Sequence, residues 1–198
     1  MTPTVDVCNL ALSLIGQSAN ISSFSPPEGS VHAQLCAAMY PLALGGLLER
    51  HPWAFATQRA TLAQLATAPD GFAYAYALPA DALRVWELRE TADAPLADYE
   101  LVAQGGVRVL VTNIPAALVL YTFALDIPQV YPPMFKLALA HALAALIAGP
   151  IIKGEGGAAV AKAMTQLAQQ YTAQAADSDA NQKRETQVHT PVWIAGRA

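Results

Sequence analysis

The sequence predicts an α+β fold, made of a four-helix bundle, a β-rich insertion over about 53–125 between the second and third helices, and an extended C-terminal tail. Apolar residues recur at helical spacing before the insertion, at a spacing of two within it, and at helical spacing again after it. Of the 198 residues, 54% are hydrophobic and only 13% are charged. A chain of this length can therefore bury a full core without metal or disulfide crosslinks.

Two helices are predicted before the insertion. The first starts at Thr2-Pro3 and ends at Gly16, because glycine tolerates the positive φ that often terminates a helix. A loop rich in proline and serine follows, and Ser30 at its end is suited to cap the second helix. Pro41 lies within that helix and is expected to kink or break it, and His51-Pro52 ends it.

The insertion is predicted to contain strands separated by turns. They lie, in chain order, at 53–61, 72–78, 83–89, 99–103, 107–112 and 117–125. Gly105-Gly106 provides the positive φ angles of a β-hairpin between the fourth and fifth of these strands. Phe72, Tyr74 and Tyr76 alternate with alanine. This pattern favours a packed sheet face over a base-stacking platform, in which Lys and Arg are interleaved with the aromatic residues.

Two further helices are predicted after the insertion. Residues from Pro133 onward are apolar almost all round, as is typical of a central helix, and Gly149-Pro150 is expected to interrupt it. The glycine-rich stretch 154–157 separates it from an alanine-rich helix over 158–176. From Asp177 onward the sequence shows no helical stripe.

Residues 1–182 are assigned to one domain and residues 183–198 to the extended tail. The tail ends in an apolar group after a polar spacer, which is typical of a tethered anchor for a partner. The candidate interface residues are Pro191, Val192, Trp193 and Ile194 in the tail, and Trp86 and Tyr99 in the insertion.

The charge balance argues against nucleic-acid binding. The chain carries 11 basic and 15 acidic residues, a formal net charge of −4, whereas proteins that neutralise phosphates normally show a basic excess or patch. The N-terminal stretch has no basic region before its apolar residues, so a signal peptide is not expected. The most hydrophobic stretch, residues 137–152, is shorter than the roughly 18 to 20 apolar residues of a membrane span, and a buried soluble helix is expected instead.

Catalytic chemistry is not indicated. His32 and Cys36 are four residues apart, a spacing compatible with zinc, but a third ligand would have to come from Cys8 or a distant histidine, and two buried thiols are favoured. His141, in an apolar helix, is interpreted as a core or interface histidine. The stretch 153–157 lacks the Gly-Lys-Ser/Thr spacing of a phosphate-binding loop. We therefore expect no catalytic residue, no cofactor site and no metal site, and a chain that is not an enzyme.

Three stretches carry a more specific signal. They are ALSLIG with HAQLCAAMYPLALGGLLERHPWAFATQRATL, then YAYALPADALRVWEL, then LYTFALDIPQVYPPMFKLALAHALAALIAGPI. The most specific parts are His-Pro-Trp-x-Phe-Ala at 51–56 and Tyr-x-Tyr-x-Leu-Pro-x-Asp at 74–81. Over residues 7–152 the chain resembles the head-to-tail adaptor family of short-tailed bacteriophages, also called tail tubular protein A. It departs from that pattern at Leu44-Gly45, where an Arg-Asp-type pair is expected.

The resemblance implies a structural virion protein, assembled in the host cytoplasm and located in the neck of the particle. It implies a homo-oligomeric ring, commonly of twelve copies, between the portal protein and the tail tube or nozzle protein. Genomic double-stranded DNA would pass through the ring without sequence-specific binding, and no membrane is involved. The alternative is an assembly chaperone or scaffold-like binding protein that is absent from the finished virion.

Overall fold

The computed structural model describes residues 3–18 and 20–181, and within them the fold is mixed α+β, with four α-helices and two antiparallel sheets. The helices are α1 (Pro3–Leu14), α2 (Val31–Leu48), α3 (Pro133–Ile152) and α4 (Gly154–Ala180). The strands are β1 (Thr57–Thr61), β2 (Ala63–Gln64), β3 (Tyr74–Ala77), β4 (Ala82–Arg89), β5 (Glu100–Gln104), β6 (Val107–Thr112) and β7 (Leu118–Phe123). All seven lie between α2 and α3 in the chain.

The ends of the first two helices follow from local sequence chemistry. Gly16 has a φ of 74°, and the backbone N–H of Gln17 donates to the Leu12 carbonyl at 2.9 Å, which closes α1 as glycine at this position commonly does. The Ser30 hydroxyl accepts a hydrogen bond from the Ala33 N–H at 3.2 Å and caps α2. Both signals predicted from the sequence are confirmed.

The helix breaks expected at Pro41 and at Gly149-Pro150 were wrong, while the kink expected as the alternative at Pro41 stays a prediction. The second helix continues through Pro41, and α3 continues through Gly149-Pro150 to Ile152. A proline inside a helix leaves the carbonyl four residues earlier without its backbone partner. Both prolines are exposed, so water can satisfy the freed carbonyls and packing on the opposite side keeps each helix intact.

The first predicted strand starts too early. Residues 53–56 form a turn, in which the Ala56 N–H donates to the Trp53 carbonyl at 3.0 Å, and β1 begins at Thr57. Trp53 is buried and Phe55 packs beside it against Phe135 of α3, with ring centroids 4.9 Å from Phe135 in each case. The alternation of aromatic residues therefore reflects a turn that inserts two rings into the helical core.

The strands form two sheets that enclose one apolar cluster. One sheet has the order β1-β7-β4 and the other the order β2-β3-β6-β5. Val85, Val119 and Tyr121 of the first sheet are buried in the same cluster as Tyr76 and Leu110 of the second. The predicted hairpin is confirmed: Gln104 pairs with Val107 across Gly105 and Gly106, whose φ angles are 61° and 82°.

The helical core is centred on α3, which packs against each of α1, α2 and α4. The predicted four-helix bundle stays a prediction, because the contacts of α4 are chiefly with α3. A single residue, Lys153, joins α3 to α4 and has a φ of 61°. A Cβ added at Gly157 would lie 3.3 Å from the Ala148 carbonyl oxygen, so the small residue permits this close helical hairpin.

The last helix is longer at both ends than its sequence suggests. The glycine-rich stretch forms its first turn, and Asp177 to Ala180 form its last. The expectation that helical structure ends before Asp177 is therefore wrong. It relied on apolar residues to mark the buried side of the helix, and at that position the buried residue is Asp179. The tail over 183–198, including Pro191, Val192, Trp193 and Ile194, lies outside the described residues.

Two of the described helices, Val31–Leu48 and Pro133–Ile152, are long and apolar enough by length and composition to cross a membrane. The argument that the apolar stretch is too short was therefore wrong, since the helix extends over 20 residues. In each helix a substantial share of the span, 39% and 50%, is buried inside the protein. Core helices of soluble proteins have this property too, and the expected absence of a membrane stays a prediction.

Candidate interaction site on the three-stranded sheet

One face of the β1-β7-β4 sheet packs on the other sheet, and the opposite face carries charged side chains. The strand register places Arg59 of β1 and Glu87 of β4 on either side of Leu120 of β7. In the next pairs along the sheet, Arg89 lies beside Leu118 and Arg84 beside Thr122. Paired residues of antiparallel strands point to the same face. We call this outer surface the Arg/Trp face. It comprises Thr57, Arg59, Thr61, Arg84, Trp86, Glu87, Arg89, Leu118, Leu120 and Thr122.

The centre of the Arg/Trp face is a fixed pair of large side chains. The half-buried indole of Trp86 donates from Nε1 to the buried Thr122 Oγ1 at 2.7 Å. The Arg84 guanidinium lies over the Trp86 ring, 4.1 Å from its centroid, a cation–π contact. A register shift between Val85 and Glu87 accompanies this arrangement, and such irregularities commonly redirect a side chain.

Among the charged groups of the face, Arg84, Arg89 and Glu87 have further contacts that hold them in place. Arg84 donates to the Glu49 carbonyl at 2.9 Å, just after α2. Arg89 donates to the Ala94 carbonyl at 2.6 Å and lies 3.4 Å from the Glu87 carboxylate. The face therefore presents three guanidinium groups, one carboxylate and one indole on a rigid sheet. Trp and Arg are the residue types that most often dominate the free energy of protein interfaces.

Trp86 and Tyr99, both predicted as interface residues, do not share a surface. Tyr99 packs against the cluster between the sheets, and its hydroxyl donates to the Val85 carbonyl at 2.9 Å. Burial raises its pKa, and the neighbouring Arg84 opposes that effect. Tyr99 thus supports the inner side of β4, while Trp86 lies on the outer side.

Sequence reasoning missed the three arginines of this face. They are dispersed along the chain and belong to a protein with acidic net charge, so composition alone indicated no basic patch. The available signal was the spacing of two between Thr57, Arg59 and Thr61, because residues at this spacing lie on one face of a strand.

Of the candidate metal ligands His32, Cys36 and Cys8, the structure brings the two thiols into contact, but it adds no third ligand among the described residues. Cys8 and Cys36 are fully buried free thiols, and contact with Cys36, aided by burial, raises the pKa of Cys8 well above its usual range. The residues that the structure describes contain no group of three potential metal ligands. His141 is buried, with Nδ1 2.8 Å from the Leu137 carbonyl and its ring against Tyr171, which fits a structural role.

A buried carboxylate was also missed. Asp179 of α4 is 3% exposed. Its carboxylate accepts from the Ala54 N–H at 3.1 Å and lies 3.3 Å from His51 Nε2. This contact joins the end of α4 to the segment between α2 and β1. Because the carboxylate is occupied by a backbone donor, its geometry is that of a structural clamp.

A scan of protein-family models and a search of curated proteins found no match to the chain.

Proposed function

We propose that the chain is a structural subunit of the neck of a short-tailed bacteriophage, a head-to-tail adaptor that joins the portal to the tail tube or nozzle. Twelve copies would form a ring around the axis through which genomic DNA passes. The four helices, arranged as a bundle, would form the ring wall. The β-rich insertion would face the tail-tube partner, and residues 183–198 would extend onto the portal or a neighbouring subunit.

The observation that carries the proposal is the structural role of its most specific motif. His-Pro-Trp-x-Phe-Ala at 51–56 joins the helical core to the sheets. Within it, Trp53 Nε1 donates to the Leu47 carbonyl at 3.0 Å and Ala54 donates to Asp179. This structural role supports a function in assembly, for which the resemblance implies no catalytic residue.

Two further features support a ring. A closed ring uses two different patches on each subunit, and the chain presents two: the Arg/Trp face on the sheets and an apolar surface on the helices that includes Leu42 and Leu146. The low content of basic residues also suits a DNA conduit, because each additional phosphate contact would strengthen DNA binding.

The direct test mixes the purified chain with its portal protein and examines the mixture by light scattering and electron microscopy. We expect a ring seated on the portal. Monomer alone, in the presence of intact portal rings, would contradict the proposal. Mass spectrometry of purified virions separates the adaptor from the alternative, since an assembly chaperone is absent from the finished particle.

The Arg/Trp face is tested by Trp86→Ala. We expect its affinity for the tail-tube protein to fall by roughly 30-fold, corresponding to about 2 kcal/mol at a central aromatic contact. Val31→Ala is the matched control, because Val31 is 68% exposed and is the first residue of α2, in neither of the two sheets. Equal affinities for the two variants, measured by calorimetry, would remove the Arg/Trp face from the interface.

A further inference from the structure

The helices leave an apolar groove uncovered on the surface. It has a volume of about 210 Å³ and is lined by residues of α2, α3 and α4 and by one charged residue, Arg50, just after α2. Leu42 and Leu146 border it and are 66% and 42% exposed. The hydroxyls of Thr165 and Thr172, which also line it, donate to carbonyls of their own helix at 2.8 and 2.6 Å. The groove therefore offers mainly apolar surface.

The groove has room for an aromatic side chain. Gly46, Ala142, Ala145 and Ala168 are among its lining residues, and their small side chains leave the space open. A dry apolar cavity of about 150 Å³ is enough to bind benzene, so 210 Å³ can receive the larger indole ring. Gln169, also in the lining, offers an amide oxygen to an indole N–H.

The chain supplies an aromatic group within reach. The described part of the chain ends at Asn181, directly after α4. From Ala180 back to Thr172, at one end of the groove, the distance is about 12 Å along the helix. Residues 182–190 form a polar spacer before Val192, Trp193 and Ile194, and nine extended residues span about 30 Å. The spacer can therefore return along α4 and reach either end of the groove.

We propose that residues 191–195 dock in the groove between α2, α3 and α4 of their own subunit, with the indole of Trp193 as the anchor. A short tether gives the attached segment an effective concentration in the millimolar range at its own groove. Purified protein is normally studied at micromolar concentrations, well below this value. The groove is therefore expected to bind the segment of its own chain in preference to the segment of another copy. In the free subunit the docked segment covers Leu42 and Leu146. In the proposed ring the same segment would leave the groove and extend onto the portal or a neighbouring subunit, so that the groove becomes free for a subunit contact. The docking does not depend on the proposed function and is tested without portal protein.

The test labels the full chain with fluorotryptophan and follows the three resonances by fluorine NMR. Trp193→Phe assigns the resonance of Trp193. A soluble paramagnetic agent reports exposure, and we expect it to broaden the Trp193 signal several times less than that of free tryptophan. Leu42→Glu, which puts a charge in the groove, should raise the broadening of Trp193 severalfold and leave the buried Trp53 unchanged.

Leu96→Glu is the control, because it places the same charge on a similarly exposed leucine outside the groove. An unchanged Trp53 signal shows that each variant is folded. A Trp193 signal as exposed as free tryptophan in the unsubstituted chain would overturn the proposal, as would an equal response to both glutamates. Protection that disappears on dilution would also overturn it, and would assign the groove to a second copy. If Trp193 is protected from the paramagnetic agent but the unsubstituted chain does not bind portal protein, the result contradicts the proposed function and leaves the docking proposal standing.

Discussion

The helical core and the core between the sheets differ in size and in what surrounds them. In the described part of the chain the helical cluster contains 26 buried residues and the sheet cluster nine. The helical cluster includes a run of contacting rings from His51 through Trp53 and Phe135 to Tyr131. The smaller sheet core leaves the outer face of its three-stranded sheet free for Arg and Trp side chains. The larger core therefore supplies most of the stability, and the smaller one displays the fixed polar surface.

The strongest test of this comparison truncates one leucine in each core. Leu143 of α3 and Leu110 of β6 are both fully buried. We expect Leu143→Ala to lower the free energy of unfolding by about 4 kcal/mol and Leu110→Ala by about 2.5 kcal/mol, because a thin two-sheet core can relax around a cavity more readily. Both variants should shift one common transition in calorimetry. Two separate transitions, with each variant moving only one, would show that the two cores unfold independently.

The contact between the end of α4 and the segment that leads from α2 to β1 is tested by Asp179→Ala. Its removal leaves the Ala54 N–H and the His51 ring without their carboxylate, and we expect a loss of about 2 kcal/mol. Asp177→Ala is the control, since Asp177 is exposed on the same helix turn and its replacement should change stability by less than about 0.5 kcal/mol. Denaturant unfolding measures both values, and equal losses would show that Asp179 is not a clamp.

The smallest expected effect concerns two tyrosines, one from each region. Tyr40 in the helical core donates to Asp126 at 3.0 Å. Burial, and then the Asp126 charge, raise its pKa far above the ordinary 10.0. In the sheet part, burial also raises the pKa of Tyr99, but Arg84 works against it. A raised pKa favours the protonated form in the folded state, so its stabilising contribution is complete below the unfolded pKa and is lost as pH rises toward the folded pKa.

We therefore expect Tyr40→Phe to lose about 1 kcal/mol at pH 7 through the missing hydrogen bond, and to lose less additional stability than the unsubstituted chain above pH 10. Tyr99→Phe should show the same trend to a smaller degree. Denaturant midpoints measured from neutral to alkaline pH provide the comparison. A steeper alkaline decline in Tyr40→Phe than in the original chain would contradict the assignment.

Local signals in the sequence predicted local structure well. Ser30, Gly16 and the Gly105-Gly106 pair each act through hydrogen bonds or φ angles within a few residues, and each lies where it was expected. The helix breaks predicted at Pro41 and Pro150 were wrong for a physical reason. The free-energy cost of a proline in a helix depends on whether the carbonyl that it leaves unpaired can bind water, and therefore on which side of the helix faces the core.

The candidate site could be predicted only in part. Trp86 was identified, but the arginines beside it depend on the register of β1, β7 and β4, which brings together residues far apart in the chain. Tyr99 stays a predicted interface residue; the structure places it against the cluster between the sheets, and an alternating pattern does not state which face is covered. Asp179 escaped notice because a buried carboxylate has no periodic signature; its partner is the backbone of Ala54.

The single-residue link at Lys153 also bears on how the chain folds. The third and fourth helices meet immediately across it, so their contacts form between residues close in sequence and require almost no loop closure. The pairing of residues 57–61 with residues 118–122 encloses nearly the whole β-rich part. We therefore expect the hairpin of α3 and α4 to form early in folding. The pairing of β1 with β7, which supports the Arg/Trp face, is expected to form late.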